Sequence, residues 1–199
     1  MKVLVATSNR GKISEISQIL FDTGITIITP QDAGLNLDVE ENGKTFEENA
    51  RFKALAWQGA SGYPTLADDS GLCVDALDGR PGVHTARFAG PNASDRENYE
   101  LLLRLMEGKE DRRAHFMCVV ALAISKDRVI TATGRCDGFI LHEPIGEGGF
   151  GYDPIFLDPE TGKSFAQLAN DEKNTLSHRS RALGALKQKL KEQGLVLDS

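Results

Sequence analysis

Hydrophobic and polar positions change their period from segment to segment, and each change marks an element. Residues 2–6 form a short continuous apolar run that reads as a buried strand. After a polar loop over residues 7–11, Ile13, Ile16, Ile19 and Leu20 recur at the helical period and predict a helix. Residues 25–29 are rich in β-branched side chains and predict the next strand, stopped by Pro30. Thr45-Phe46-Glu47-Glu48 has the form of a capping box, in which hydroxyl and carboxylate satisfy opposite orphan amides, and it opens a helix to about Gln58.

Residues 64–67 predict a strand that delivers Asp68-Asp69-Ser70-Gly71 at its end, and residues 72–77 are a candidate further strand. Ser94-Asp95-Arg96-Glu97 is a second capping box, and Leu101, Leu102, Leu105 and Met106 continue its helix. Residues 114–125 and 128–140 read as a hairpin about Lys126-Asp127. Residues 146–153 form a glycine-rich loop with two aromatics, and a last helix after Ser177 carries Leu183, Leu186 and Leu190 on one face. Strands and helices alternate first and antiparallel strands follow, which predicts an α/β fold with a central mixed β-sheet.

Composition narrows the class without naming a function. The 199 residues are 40% hydrophobic and 26% charged, enough for one domain over residues 1–199, or one pinched into two lobes. No apolar stretch approaches the ~20 residues that span a bilayer, and the apolar start is too short for a signal peptide. The 3 cysteines (Cys73, Cys118, Cys136) are widely spaced and odd in number, which argues against a disulfide framework and for a reducing, cytoplasmic interior. A net charge of −6 with no long basic run argues against sustained nucleic-acid binding. A small anionic substrate stays open, provided that local cations and a metal ion offset the overall field.

Four clusters lie at the ends of predicted elements, where α/β proteins place ligands. Thr7-Ser8-Asn9-Arg10-Gly11-Lys12 joins a strand to a helix. Free amides at the helix start, small polar side chains and the Lys12 cation suit phosphate, and a turn with a helix cap and a solvated lysine is the alternative. It is not a Walker A loop. Asp68-Asp69-Ser70-Gly71 puts adjacent acids beside a glycine turn, a pattern suited to Mg2+, or else to a capping pair at the surface. Adjacent strand residues point to opposite faces, so the two acids would take different tasks. Glu40-Glu41-Asn42-Gly43 reads by itself as a solvated turn, and gains chemistry only if it folds beside Asp69.

The fourth cluster comprises Gly148-Gly149-Phe150-Gly151-Tyr152-Asp153-Pro154, with Lys173 and Ser177-His178-Arg179. Phe150 and Tyr152 offer faces for a purine to stack on, while Asp153, His178 and Arg179 can read base edges. Taken singly, Phe150 reads more often as a core residue and His178 more often as a cap or surface residue; it is their combination that points to a site. No Gly-x-Ser-x-Gly elbow and no His-x-x-x-His or Cys-x-x-Cys pair exists, so serine-hydrolase and zinc chemistry are set aside.

At these clusters the chain resembles the non-canonical purine nucleoside-triphosphate pyrophosphatases, the inosine triphosphate pyrophosphatase or XTP/dITP diphosphatase family. The resemblance is carried by residues 6–12, 66–72, 81–88, 148–156 and 172–179, which stand in the family's order and spacing. Ser8 stands where glycine is frequent in that family, and Asn42 where threonine is common.

The resemblance implies two lobes around an active-site cleft, a homodimer, and hydrolysis of ITP, dITP or XTP to the monophosphate and pyrophosphate. By the same resemblance Thr7, Ser8, Asn9, Arg10, Gly11 and Lys12 hold the triphosphate. Glu40 and Asp69 bind Mg2+, with Glu41 and Asp68 in support, and it is open which of Glu40 and Glu41 is the second ligand. Asp69 also accepts the proton of the attacking water. Ser70 touches the substrate, and Phe150, Gly151, Tyr152, Asp153, Lys173, His178 and Arg179 form the nucleoside site. Three competing readings are a related pyrophosphatase for other triphosphates, a nucleotide sensor without turnover, and phosphotransfer through an aspartyl phosphate. A sensor gains nothing from a water-activating acid beside the metal, which sets Asp69 against it.

Overall fold

A computed structural model describes residues 1–196. Its elements are β1 (Lys2–Val5), α1 (Arg10–Ile19), β2 (Thr26–Ile28), α2 (Phe46–Ser61), β3 (Thr65–Val74), α3 (Asp95–Leu105), β4 (Arg113–Ser125), β5 (Arg128–Ile140), β6 (Phe156–Asp158), β7 (Lys163–Ser164), α4 (Asn170–Leu176) and α5 (His178–Glu192), with short 3-10 turns between. The strands form one 7-stranded sheet in the order β2-β1-β3-β4-β5-β6-β7. β1 runs parallel to β2 and β3, whereas β6 runs antiparallel to β5 and β7, so the sheet is mixed. β4 and β5 are neighbours joined only by the turn at Lys126-Asp127, a link that antiparallel strands alone permit. The fold class is the expected α/β sheet with flanking helices. Among the described residues no helix is long and apolar enough to cross a membrane.

The chain divides into two compact units, each assembled from separate stretches. The first takes in residues 1–69, 118–134 and the chain from His178 onward. Its core joins Val3 and Val5 of β1, Ile16 and Leu20 of the first helical segment, Leu66, Val120 and Leu122 of the sheet, and Leu183, Leu186 and Leu190 of α5. The leucines of α5 recur at three and four residues, so one stripe faces α1 and the sheet. A second cluster packs Ala50 and Ala54 of α2 on Ala67, Val119, Ala121 and Ala123.

The second unit comprises residues 70–117 and 135–177. Its core joins Leu72, Val74, Leu102, Met106, Phe116, Cys136, Phe156 and Phe165. The Ser94 capping box forms with both reciprocal bonds. At Thr45 the hydroxyl caps Glu48, but the glutamate bonds the Lys44 amide instead of that of Thr45. All three cysteines are free thiols, and Cys118 and Cys136 are packed inside.

One expectation is corrected. Instead of strand, turn and strand over residues 64–77, β3 runs unbroken through Asp68-Asp69-Ser70-Gly71. A buried acid in a sheet is costly unless its charge is met. Here side chains from α1, α2 and α5 meet it, so the backbone has no reason to turn out to solvent.

Candidate active site

In the first unit, β1 ends at Val5 and the chain turns at once: the Thr7 amide donates to the Val5 carbonyl at 2.8 Å and the Asn9 amide to Thr7 Oγ1 at 3.2 Å. Asn9 then caps α1, its Oδ1 accepting from the Lys12 amide at 3.1 Å. Ser8, Asn9, Arg10 and Gly11 are exposed around this helix start. The arrangement presents the positive end of a 10-residue helix together with small polar side chains, the general form of an anion site.

Lys12 does not point away from this turn as a solvated side chain. Its Nζ donates to Asp68 Oδ1 at 3.1 Å and to Oδ2 at 2.9 Å. Asp68 also accepts from Arg179 Nε at 3.3 Å, and Arg179 Nη1 donates to Glu15 at 3.0 Å. Asp68, Arg179 and Glu15 are all buried. Burial opposes ionisation of Asp68, but Lys12 and then Arg179 hold its carboxyl well below the usual carboxylate range. Asp68 is therefore a fixed anion that aims a lysine, in keeping with the expected split of tasks between the two acids.

Asp69 is buried beside it and accepts from Asn49 Nδ2 at 2.8 Å. The same Asn49 amide accepts from the Gly43 amide at 2.7 Å. Four residues on along α2, Lys53 donates to the Asp68 carbonyl at 3.1 Å and pairs with Glu41. Burial works against the Lys53 ammonium, yet Glu41, followed by Asp68 and Asp69, keeps its pKa above the ordinary value. Thus the segment 40–43 does fold onto the acidic strand, tied there by two side chains of α2. Glu41 is spent on Lys53, whereas Glu40 is exposed and accepts only the Asn42 amide group, at 2.7 Å, among the bonds described for it.

The second unit builds its own cluster. Asp153 is buried, and its Oδ2 accepts from the Phe150 amide at 2.8 Å and from the Lys173 ammonium of α4. Burial pushes its carboxyl above the ordinary value, against the pull of Lys173. Lys173 also stands over the Phe150 ring, 4.3 Å from its centroid. Phe150 itself is 58% exposed, a large aromatic held at the surface by the loop that carries it. Asp95, at the start of α3, accepts from the Gly151 amide at 2.7 Å and fixes the loop from the other side.

Two expected roles change. Tyr152 offers no stacking face: it is buried in the core of the second unit, and its hydroxyl donates to the Thr85 carbonyl at 2.9 Å. Its ring is packed because it lies one residue before the 3-10 turn at Asp153–Ile155, whose Ile155 enters the same core. Arg179 belongs to the buried Asp68–Glu15 cluster, so reading a base edge would compete with two carboxylates. His178 opens α5 and is buried, and Ser70 is half-buried in β3. Asn49, Lys53 and Glu15 belong to the site without standing in any of the four sequence clusters. The available signal was an asparagine and a lysine four apart on one helix face directly after an acidic loop, with asparagine a poor choice for a helix interior.

Among the described residues, no group of three or more His, Cys, Asp or Glu side chains is gathered closely enough to cage a metal ion. Mg2+ does not require such a cage, since it takes one or two protein carboxylates and leaves the remaining positions to phosphate and water. Asp69 and Glu40 supply hard oxygen donors of that kind. Asp68 and Glu41 are instead neutralised by lysine and arginine.

A family model described as the Ham1 family matches residues 3–189. A dITP/XTP pyrophosphatase of Clostridium perfringens is 45% identical over 198 residues, covering 96% of this chain and 97% of its own. One of Geobacter sulfurreducens is 47% identical over 196 residues and covers 98% of each chain. In fold, the Staphylococcus aureus Ham1 protein matches with a TM-score of 0.89 at 40% identity, over 97% of this chain and 100% of its own. A HAM1 protein from Coxiella burnetii follows at 0.88 and 39%, over 96% and 99%.

Proposed function

The chain belongs to the Ham1 family, and from that premise we propose that it is a nucleoside-triphosphate pyrophosphatase that hydrolyses dITP, XTP and ITP with Mg2+, as a homodimer, to cleanse the cytoplasmic nucleotide pool. Relatives called dITP/XTP pyrophosphatase, at 45–48% identity over nearly the whole chain, support the enzyme class and the purine substrates. The observation that carries the reading is the bond from Lys12 to Asp68. It brings a helix-start anion loop and a pair of acids, 56 residues apart in sequence, into one cluster.

The chemistry follows from these groups. The amides and small side chains of residues 7–12 take triphosphate oxygens, and Lys12 neutralises part of their charge. An ammonium has three hydrogens, so Lys12 can serve Asp68 and still donate to a phosphate. Asp69 takes a proton from the water that attacks the α-phosphorus. The new P–O bond forms as the α–β bridge breaks, and pyrophosphate leaves with the electron pair. Asp69 and Glu40 are the residues that hold Mg2+, because Glu41 is engaged by Lys53. When bound, the ion supplies charge stabilisation for the leaving pyrophosphate. Phe150 gives the base an exposed aromatic face. Donors directed at a 6-oxo group accept hypoxanthine or xanthine and are left unpaired by adenine, at a cost of ~1–3 kcal/mol.

The test is pyrophosphate release from ITP, XTP, dITP, GTP, ATP, CTP and dTTP with Mg2+, alongside Asp69→Asn. Fast release from ITP, XTP and dITP and loss in the variant are expected. Orthophosphate as product, a flat base preference or a fully active variant overturns the reading.

A further inference from the structure

Asn49 lies in α2 and is only 1% exposed, in a helix whose other buried residues are Ala50, Ala54 and Trp57. Packing alone gives no reason for an amide there. Asparagine is a weaker helix former than alanine or leucine, and a buried amide is costly unless both of its ends are bonded. Both ends are bonded. Oδ1 accepts from the Gly43 amide at 2.7 Å and Nδ2 donates to Asp69 Oδ2 at 2.8 Å. The polarity of this bridge is fixed, because a backbone N–H can only donate. The oxygen of Asn49 must face Gly43, and its amino group must face the carboxylate.

The far end of the bridge is equally constrained. A Cβ on Gly43 would stand 2.6 Å from Asn49 Oδ1 and 2.8 Å from Glu48 Cβ, so only glycine lets this backbone reach the amide. Asn42, next to Gly43, donates to Glu40 at 2.7 Å. A continuous path of bonds therefore runs from Glu40 through residues 42 and 43 and Asn49 to Asp69. We propose that Asn49 is a positioning residue, which sets the loop of Glu40 and the carboxylate of Asp69 as one unit before any ligand arrives. The proposal rests on the reading of Asp69 and Glu40 as the Mg2+ carboxylates. Groups that orient metal ligands without touching the ion commonly change metal affinity or activity by about 10- to 100-fold when removed.

The experiment uses the full chain and Asn49→Leu, which keeps the volume and removes both bonds, with Gly43→Ala as the second variant. Hydrogen exchange at the Gly43 amide is read first, without metal or nucleotide. Exchange is expected to accelerate in Asn49→Leu and also in Asp69→Ala, which removes the opposite end of the bridge. An unchanged Gly43 rate in Asp69→Ala overturns the coupling. Next comes the Mg2+ concentration for half-maximal turnover. It should rise by about 10- to 100-fold in Asn49→Leu, while the nucleotide KM at saturating Mg2+ stays within roughly twofold.

Gly43→Ala should raise the same midpoint, and the double variant should fall short of the product of the single effects, since one path is broken only once. If Asn49→Leu does not fold, Gly43→Ala carries the same measurement. A midpoint unchanged from wild type in a folded variant overturns the positioning role. That result together with an inactive Asp69→Asn removes Asn49 alone, whereas a fully active Asp69→Asn removes the metal reading beneath it.

Discussion

The ammonium of Lys12 donates to both carboxylate oxygens of Asp68, at 3.1 and 2.9 Å. One residue belongs to the first turn of α1 and the other to the middle of β3, and neither has a local reason to meet the other. Their pairing converts a lysine with a flexible stem into a charge at a defined place beside the helix start. It also separates the two acids: Asp68 holds a cation, and Asp69, on the other face of the strand, is bonded by Asn49.

Lys12→Met should therefore lower kcat by about 100- to 1,000-fold, the usual effect of removing one preorganised donor from developing phosphate charge. Asp68→Asn should cost less, because the cation remains and only its aim is relaxed. Steady-state pyrophosphate release at saturating Mg2+ measures both. A Lys12→Met enzyme within a few-fold of wild type would remove the anion loop from the mechanism.

Arg179 carries a second consequence. It is buried and bonded to Glu15 at 3.0 Å and Asp68 at 3.3 Å. Arg179→Met leaves two buried acids without that partner and should cost roughly 3–5 kcal/mol at neutral pH. The loss depends on pH. The folded pKa of Asp68 is depressed by Lys12 and Arg179 against the opposing effect of burial, so its contribution is complete above the unfolded carboxylate value. That contribution declines as pH falls below about 4 and on toward the folded value. Urea midpoints from pH 7 to pH 3 should fall for the wild type below about pH 4, and the deficit of Arg179→Met should narrow over the same interval. An equal deficit at both ends of the range would show that the lost stability is packing and not charge.

The parts of this fold set by local pattern were legible in the sequence. The helical leucines of α5, the Ser94 cap and the hairpin of β4 and β5 each depend on neighbours in the chain, and each formed where the pattern placed it. What local pattern could not reach was the state of Asp68-Asp69-Ser70-Gly71. Two acids and a glycine read as a turn, because the compensating Lys12, Asn49, Lys53 and Arg179 come from three different helices. The same limit hid the role of Tyr152. A glycine-rich loop with aromatics announces exposed rings, and only the packed core shows that Phe150 is outside and Tyr152 inside.

Those two aromatics should separate in experiment. Phe150 is 58% exposed, so Phe150→Ala should leave the melting temperature nearly unchanged. If a purine stacks there, KM should rise by about tenfold or more, from the ~1–3 kcal/mol of a base–aromatic stack, while kcat changes less. Tyr152→Phe should register in stability, by about 0.5–1.5 kcal/mol, because the Thr85 carbonyl loses its donor. Kinetics against ITP and thermal melts of both variants decide it. A normal KM in Phe150→Ala would take the stacking face away from this loop.

A substitution on a neighbouring strand tests how α5 is held. Gly134 of β5 faces the start of that helix, and a Cβ there would lie 2.0 Å from the His178 carbonyl oxygen and 2.3 Å from the Ala182 nitrogen. Both are backbone atoms, so no side-chain rotation can relieve the contact and the helix itself must shift. Gly134→Ala should cost about 1–3 kcal/mol by overpacking. Because α5 opens with His178 and Arg179, the shift should also draw the guanidinium from Glu15 and Asp68, and activity should fall even where the protein is folded. Gly184, on the same helix, has nothing within 4 Å of the corresponding position. Gly184→Ala should gain up to about 1 kcal/mol from helix propensity alone. Thermal melts of the two variants should therefore move in opposite directions. If Gly134→Ala melts with the wild type, the close approach of β5 to α5 is not what fixes Arg179.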